Sequence, residues 1–183
     1  CPSKRIIARA RVPGEPILVR VTPDGKSLLV LNRADASLRV LDAFTLAQRE
    51  SISVVASPDE VAVPPDSSIA FVMSRSGQRL SVVDLRRGVL LSNLQLGAAP
   101  TDMLLKPDGG ELYVLCPGIH GLQVVNTWTH EVGDYMLLGS APSRGVLMRE
   151  AAGLYVSDTE AGRITPVDVF NRRVARPIQA GQN

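Results

Sequence analysis

Aromatic residues are scarce in this sequence. Three Phe, three Tyr and one Trp make up 4% of 183 residues, so a core must be filled by aliphatic side chains, which the 45% hydrophobic content supplies. Histidine and cysteine number two each, and no Cys/His spacing resembles a zinc site. A Cys-x-x-Cys-His haem attachment, a Gly-x-Ser-x-Gly elbow and a phosphate-binding glycine loop are all missing. The net charge of +2 gives no long-range pull on nucleic acid, although the pI is 8.8. Lys4 to Arg11 alternates basic with apolar residues and reads as a solvated strand edge rather than a polyanion patch. No apolar run approaches ~18 residues, so no transmembrane helix is expected, and no signal peptide stands in the sequence as given. No cofactor, metal or catalytic set is expected from these residues.

What the sequence does have is a period. Pro16, Pro58, Pro100 and Pro142 are each 42 residues apart, as are Asp24, Asp66, Asp108 and Glu150. Val30, Val72, Val114 and Val156 form a third series, and Asp42, Asp84, Asn126 and Asp168 a fourth. Each unit runs Pro, an apolar stretch, Pro-Asp-Gly, a second stretch, a polar loop, a third stretch ending in Asp or Asn, and a fourth. Short aliphatic runs bounded by Gly, Pro and Asp are strands. Pro-Asp-Gly suits a tight turn, because Pro presets φ, Asp caps its own backbone and Gly accepts φ > 0. Four antiparallel strands every 42 residues are the pattern of a propeller blade.

The residues also carry a family resemblance. PILVRVTPDGKSLLVLN, PTDMLLKPDGGELYVLC and, more loosely, PSRGVLMREAAGLYVSD resemble the YVTN-type β-propeller repeats of exported and surface-layer proteins. The resemblance covers nearly the whole chain. The last copy replaces Pro-Asp-Gly by Arg149-Glu150-Ala151, which leaves that turn's type open. The fold expected is all-β, with blades at 13–54, 55–96, 97–138 and 139–180. Residues 1–12 align with 43–54 as the outermost strand of a preceding or closing blade, and 181–183 begin a further one.

That phase leaves an outer strand without a blade, and four blades in an arc leave two apolar faces wet. At ~25 cal/mol per Å², several hundred Å² of such surface cost on the order of 10 kcal/mol. The expectation is a larger ring of about seven blades with more sequence after Asn183. Closure as a four-bladed ring, or completion by another chain, are the alternatives. A chain beginning at Cys rather than Met reads as processed or truncated, which makes Cys1 a candidate lipid anchor. Cys116 reads as a small apolar residue, not a disulfide partner.

Candidate binding residues fall in loops that differ from blade to blade. Asp59, Glu60 and Asp102, with Arg144 in the next blade, converge on the channel mouth, where salt bridging is preferred over a cation site. Arg33, Arg75 and Arg79 are candidates for a carboxylate or phosphate. His120 and Glu160 complete the loop set, while His130 and Trp128 fall in turns of the opposite face, Trp128 as a packing plug. The resemblance implies a non-catalytic scaffold, exported to the periplasm, envelope or surface, whose partners are proteins or further blades. The alternative is a fragment of a lactonase-like hydrolase, or of the propeller subunit of a quinone- or haem-dependent oxidoreductase.

Overall fold

The computed structural model describes residue 6 and residues 8–139, 141–148 and 153–181. Four antiparallel meanders follow one another. The first holds β1 (Pro16–Val21), β2 (Ser27–Asn32), β3 (Ser37–Asp42) and β4 (Gln48–Ser53). The second holds β5 (Glu60–Ala62), β6 (Ile69–Ser74), β7 (Arg79–Asp84) and β8 (Val89–Gln95). The third holds β9 (Asp102–Leu105), β10 (Glu111–Cys116), β11 (Gly121–Asn126) and β12 (Glu131–Leu137). In the fourth, β13 (Arg144–Leu147), β14 (Gly153–Asp158) and β15 (Arg163–Asp168) are followed by two short strands, β16 (Arg173–Val174) and β17 (Ile178–Gln179). The all-β fold read from the period is the one observed.

Turn chemistry explains the register. The closing residue of every third strand uses its side-chain oxygen to accept two backbone N–H groups of the turn that follows. Asp42 takes Phe44 and Thr45, Asp84 takes Arg86 and Arg87, Asn126 takes Trp128 and Thr129, and Asp168 takes Phe170 and Asn171, at 2.8–3.1 Å. Those two bonds hold the Asp42 carboxyl down at about 2. Each turn then closes through a left-handed residue: Leu46, Gly88, His130 or Arg172. A residue two beyond each Asx side chain points outward, and this corrects the expectation for Trp128. The residue is 79% exposed, with only its six-membered ring resting over Gly110.

The third and fourth strands share a bulge at one column, between Val40 and Leu41, Val82 and Val83, and Val124 and Val125. In the last sheet that column holds Pro166. Pro166 and Pro177 both lack an N–H, so the ladder breaks there and the fourth strand divides into β16 and β17.

The core lies between sheets. Leu29, Leu31 and Leu38 pack on Val61, Ala70 and Val72. Phe71, Met73 and Leu80 pack on Leu112, Val114 and Cys116. Tyr113, Leu115 and Leu122 pack on Leu154, Val156 and Val167. Cys116 is fully buried, and burial pushes its thiol up to about 11.

The described part of residues 1–12, Ile6 and 8–12, forms no strand. Each third strand is already paired with a fourth of its own, so these residues have no ladder to join. The Arg149-Glu150-Ala151 turn lies outside the described residues.

Candidate functional site

Every blade places a loop between its second and third strands, and these loops share a backbone whatever their side chains. Ala36, Gln78, His120 and Gly162, spaced by 42, are all left-handed, with φ of 48°, 50°, 54° and 60°. The N–H of Ala36, Gln78 and His120 each donates to the carbonyl three residues back. All four carbonyls accept the N–H of the residue leaving the blade, Val54, Leu96, Leu138 and Ala180, at 2.8–2.9 Å. His120 is therefore fixed by its backbone, closing the 3-10 turn Pro117–Ile119.

The charged candidates meet on this face as an alternating chain. Arg33 Nη2 lies 3.3 Å from Asp59 Oδ1, while Asp59 Oδ2 accepts the backbone N–H of Arg75 at 2.8 Å. Arg75 Nη2 donates to the Thr101 carbonyl at 3.2 Å in the next blade, and its Nε is buried without a hydrogen-bond partner. Asp102 Oδ2 accepts the Gly145 N–H at 2.9 Å, with Arg144 Nη1 3.6 Å from Oδ1. Each acid thus ties two neighbouring blades together.

Glu60, Asp102 and Arg144 occupy one column, on the first strands of successive blades. Burial raises the Glu60 pKa and the Asp102 charge raises it further, against the pull of Arg20, Arg75 and Arg144. Arg20, on β1, carries no sequence signal for this position. It lies outside the 60–102–144 column, and only the fold brings it near Glu60.

Arg79 stands apart from Arg33 and Arg75, its Nε on Gln95 Oε1 at 3.2 Å within its own blade. The three arginines therefore share no common partner. Glu160 lines a cavity of about 310 Å³ with Arg75, Thr101, Pro142, Ser143 and Arg144. Ser143 and Thr159 join their hydroxyls at 2.9 Å beside it. Among the described residues no group of three His, Cys, Asp or Glu is placed to hold a metal. Cys1, the candidate lipid anchor, lies outside the described residues. No described helix is long and apolar enough to cross a membrane.

Blades in chain order, packed face to face, with charged loops on one end, define a β-propeller, and solved structures agree. Hydrazine synthase of Kuenenia stuttgartiensis superposes with a TM-score of 0.77 at 22% identity, over 96% of this chain and 51% of that one. A putative 6-phosphogluconolactonase of Bacteroides fragilis gives 0.69 at 18%, over 89% and 54%. The Cps50 (Swd1) β-propeller domain of Myceliophteria thermophila gives 0.75 at 15%, over 93% and 57%. The chain spans about half the length of these structures. No family model and no curated protein matches it.

Proposed function

We propose that the chain is a non-catalytic β-propeller scaffold of the YVTN type, exported by a bacterium and presenting its loop face to a protein partner. One observation carries this reading. The four loops share a left-handed residue at one position and the bond from its carbonyl to the residue leaving the blade, while their side chains differ in every blade. A shared anchor under variable side chains serves presentation. The charged candidates join blades, and three of them, Arg75, Arg144 and Glu160, also line one cavity, which is the recognition patch.

Further blades of the same propeller are the natural cover for the two terminal faces. Val19 is 62% exposed where Val61, one blade on, is fully buried. At the other end Tyr155 is 38% exposed and Ile178 56%, in columns where Phe71, Tyr113 and Ile52 are buried. The localisation reading places Cys1 as a lipid anchor; mass spectrometry of the N-terminal peptide should find fatty acids, and a free amine would end that part.

The test of the scaffold reading is site-specific photocrosslinking in the native host, with the reactive residue at Glu160 or, as control, at Phe44 on the opposite face. A discrete protein adduct from Glu160 alone is expected. Equal labelling from both positions, or stoichiometric haem or metal on the purified protein, would overturn it.

A second reading rests on Glu60. A half-buried carboxyl of raised pKa beside arginines is the equipment of general acid–base chemistry, and one structural neighbour is described as a putative 6-phosphogluconolactonase. Lactone hydrolysis abolished by Glu60→Gln would establish it.

A further inference from the structure

On the face opposite the loops, each pair of successive blades forms a cleft between the turn after one first strand and the turns of the next blade. Three such clefts can be compared, because the repeat places equivalent residues around each. Between the last two blades an ion pair spans the cleft. Arg172, in the left-handed turn column, lays its guanidinium on Glu111 and reaches Asp134. Between the first two blades it is wide, about 520 Å³, and lined with charge: Asp24, Lys26, Arg49, Glu50, Asp66 and Arg86.

Between the second and third blades, His130 stands in the column of Arg172, and Ile69 in that of Glu111. That ion pair is therefore missing, and a cleft of about 360 Å³ is left open. One wall is the pair Pro64-Pro65; the other is Trp128, the only tryptophan in the chain. The floor is rigid. Thr127 Oγ1 donates to the Gly109 carbonyl at 2.5 Å, and a Cβ added at Gly109 would come within 2.7 Å of Pro65 Cδ. The six-membered ring of the indole lies over Gly110, 3.7 Å from where a Cβ would stand.

Two carboxylates border the cleft, and each faces a cation of its own. Asp66 accepts the Ser68 N–H at 3.2 Å and faces Arg86 at 3.9 Å. Asp108 accepts the Gly110 N–H at 2.9 Å and faces Lys106 at 3.0 Å. Their charges are partly offset by Arg86 and Lys106, which lowers the pull on a cationic ligand. A neutral polyol can use the carboxylates' remaining lone pairs without moving any charge. An exposed indole opposite a proline pair is suited to a flat C–H face, and ~300–1,000 Å³ is the usual size of a small-ligand site.

We propose that this cleft is a carbohydrate-binding site, taking one neutral pyranose ring stacked on Trp128 with its hydroxyls on Asp66 and Asp108. The site is independent of the loop face, so either reading can fail without the other.

Because Trp128 is the sole tryptophan, intrinsic fluorescence reports on this site alone. The purified protein is titrated with glucose, with N-acetylglucosamine, and with the β-1,4-linked trimer of the latter. A saturable blue shift is expected, with Kd on the order of millimolar for a monosaccharide. A tighter trimer identifies the ligand as part of a glycan chain; equal affinities identify a free sugar. Ligand-observed NMR then measures Trp128→Ala and Asp66→Ala, expected to weaken binding at least about tenfold and about threefold. The melting temperature of Trp128→Ala should stay unchanged, since the ring is exposed. No saturable response up to about 100 mM, well above that Kd, overturns the proposal. So does sugar binding that survives Trp128→Ala. A response to tetramethylammonium or arginine but to no sugar overturns it too, in favour of a cation–π cage.

Discussion

Arg172 and Glu111, 61 residues apart in sequence, bolt the last two blades together. The guanidinium bonds both carboxylate oxygens and donates to the Val169 carbonyl at 2.7 Å, while Tyr113 gives its hydroxyl to Glu111 Oε2 at 2.6 Å. Burial would raise the Glu111 pKa, but the bonds from Arg172 and Tyr113 outweigh it and hold the carboxyl below the usual glutamate range. Replacing Arg172 by Ala should cost about 1–2 kcal/mol and lower Tm by about 3–6 °C. Adding Glu111→Gln should cost little more, because both changes remove one interaction. Thermal melts of the two single variants and the double variant check this; additive losses would show that the pair does not act as a unit.

Glu60 carries the opposite pH signature. Its folded pKa is raised above the ordinary 4.5, so its contribution is fully present below pH 4.5 and is lost as pH rises through the folded value. Glu60→Gln removes that cost. The variant should melt about 1–2 °C above the wild type at pH 7, and level with it at pH 4. Calorimetry at both values decides the matter, and a gain that persists at pH 4 would assign it to packing instead.

Asp42 should show the ordinary acid pattern. Its carboxyl titrates near 2 in the fold against 3.8 otherwise, so the stability it gives is whole above pH 3.8 and is lost as pH falls through 2. Asn126 holds the same column naturally, which makes Asp42→Asn a replacement that keeps the turn and removes the charge, including the contact of Arg49 with Oδ2. The wild type should lead Asp42→Asn at pH 6, with the gap closing by pH 2 in acid unfolding followed by circular dichroism.

Leu46 is held at φ 59° in a column where Gly88 stands one blade later at 67°. A branched aliphatic residue is strained there, and glycine is not. Leu46→Gly should therefore be neutral or stabilising by up to about 1 kcal/mol in chemical denaturation. The same change at Leu29, inside a strand and fully buried, should cost several times that.

The frame was legible in the sequence because turn chemistry repeats in kind: Pro, Asp-Gly and the closing Asp or Asn fall every 42 residues. The second left-handed column was not. Ala36, Gln78, His120 and Gly162 have nothing in common as residue types, and only their backbone angles align them. Asp59, Asp102 and Arg144 could be placed on one face from spacing, but Arg33 on Asp59, Arg75 on Thr101 and Arg20 near Glu60 depend on how adjacent blades turn toward each other. Trp128 was misjudged for a local reason. A large apolar side chain suggests burial, while the Asx turn it follows directs that position outward.

The bulge shared by the outer strands bears on how the molecule can join others. An outer strand is an open row of donors and acceptors, and a flat one invites pairing with any similar strand. Here the described outer edges are bent where one extra residue bulges, at Arg49, Leu91 and Gly133, and the last is interrupted between Val174 and Ile178, so none offers a long straight template. Apolar surface also stays open on the two end faces, at Val19 and at Tyr155 and Ile178. Lateral fusion of sheets through those bent outer edges is thereby disfavoured.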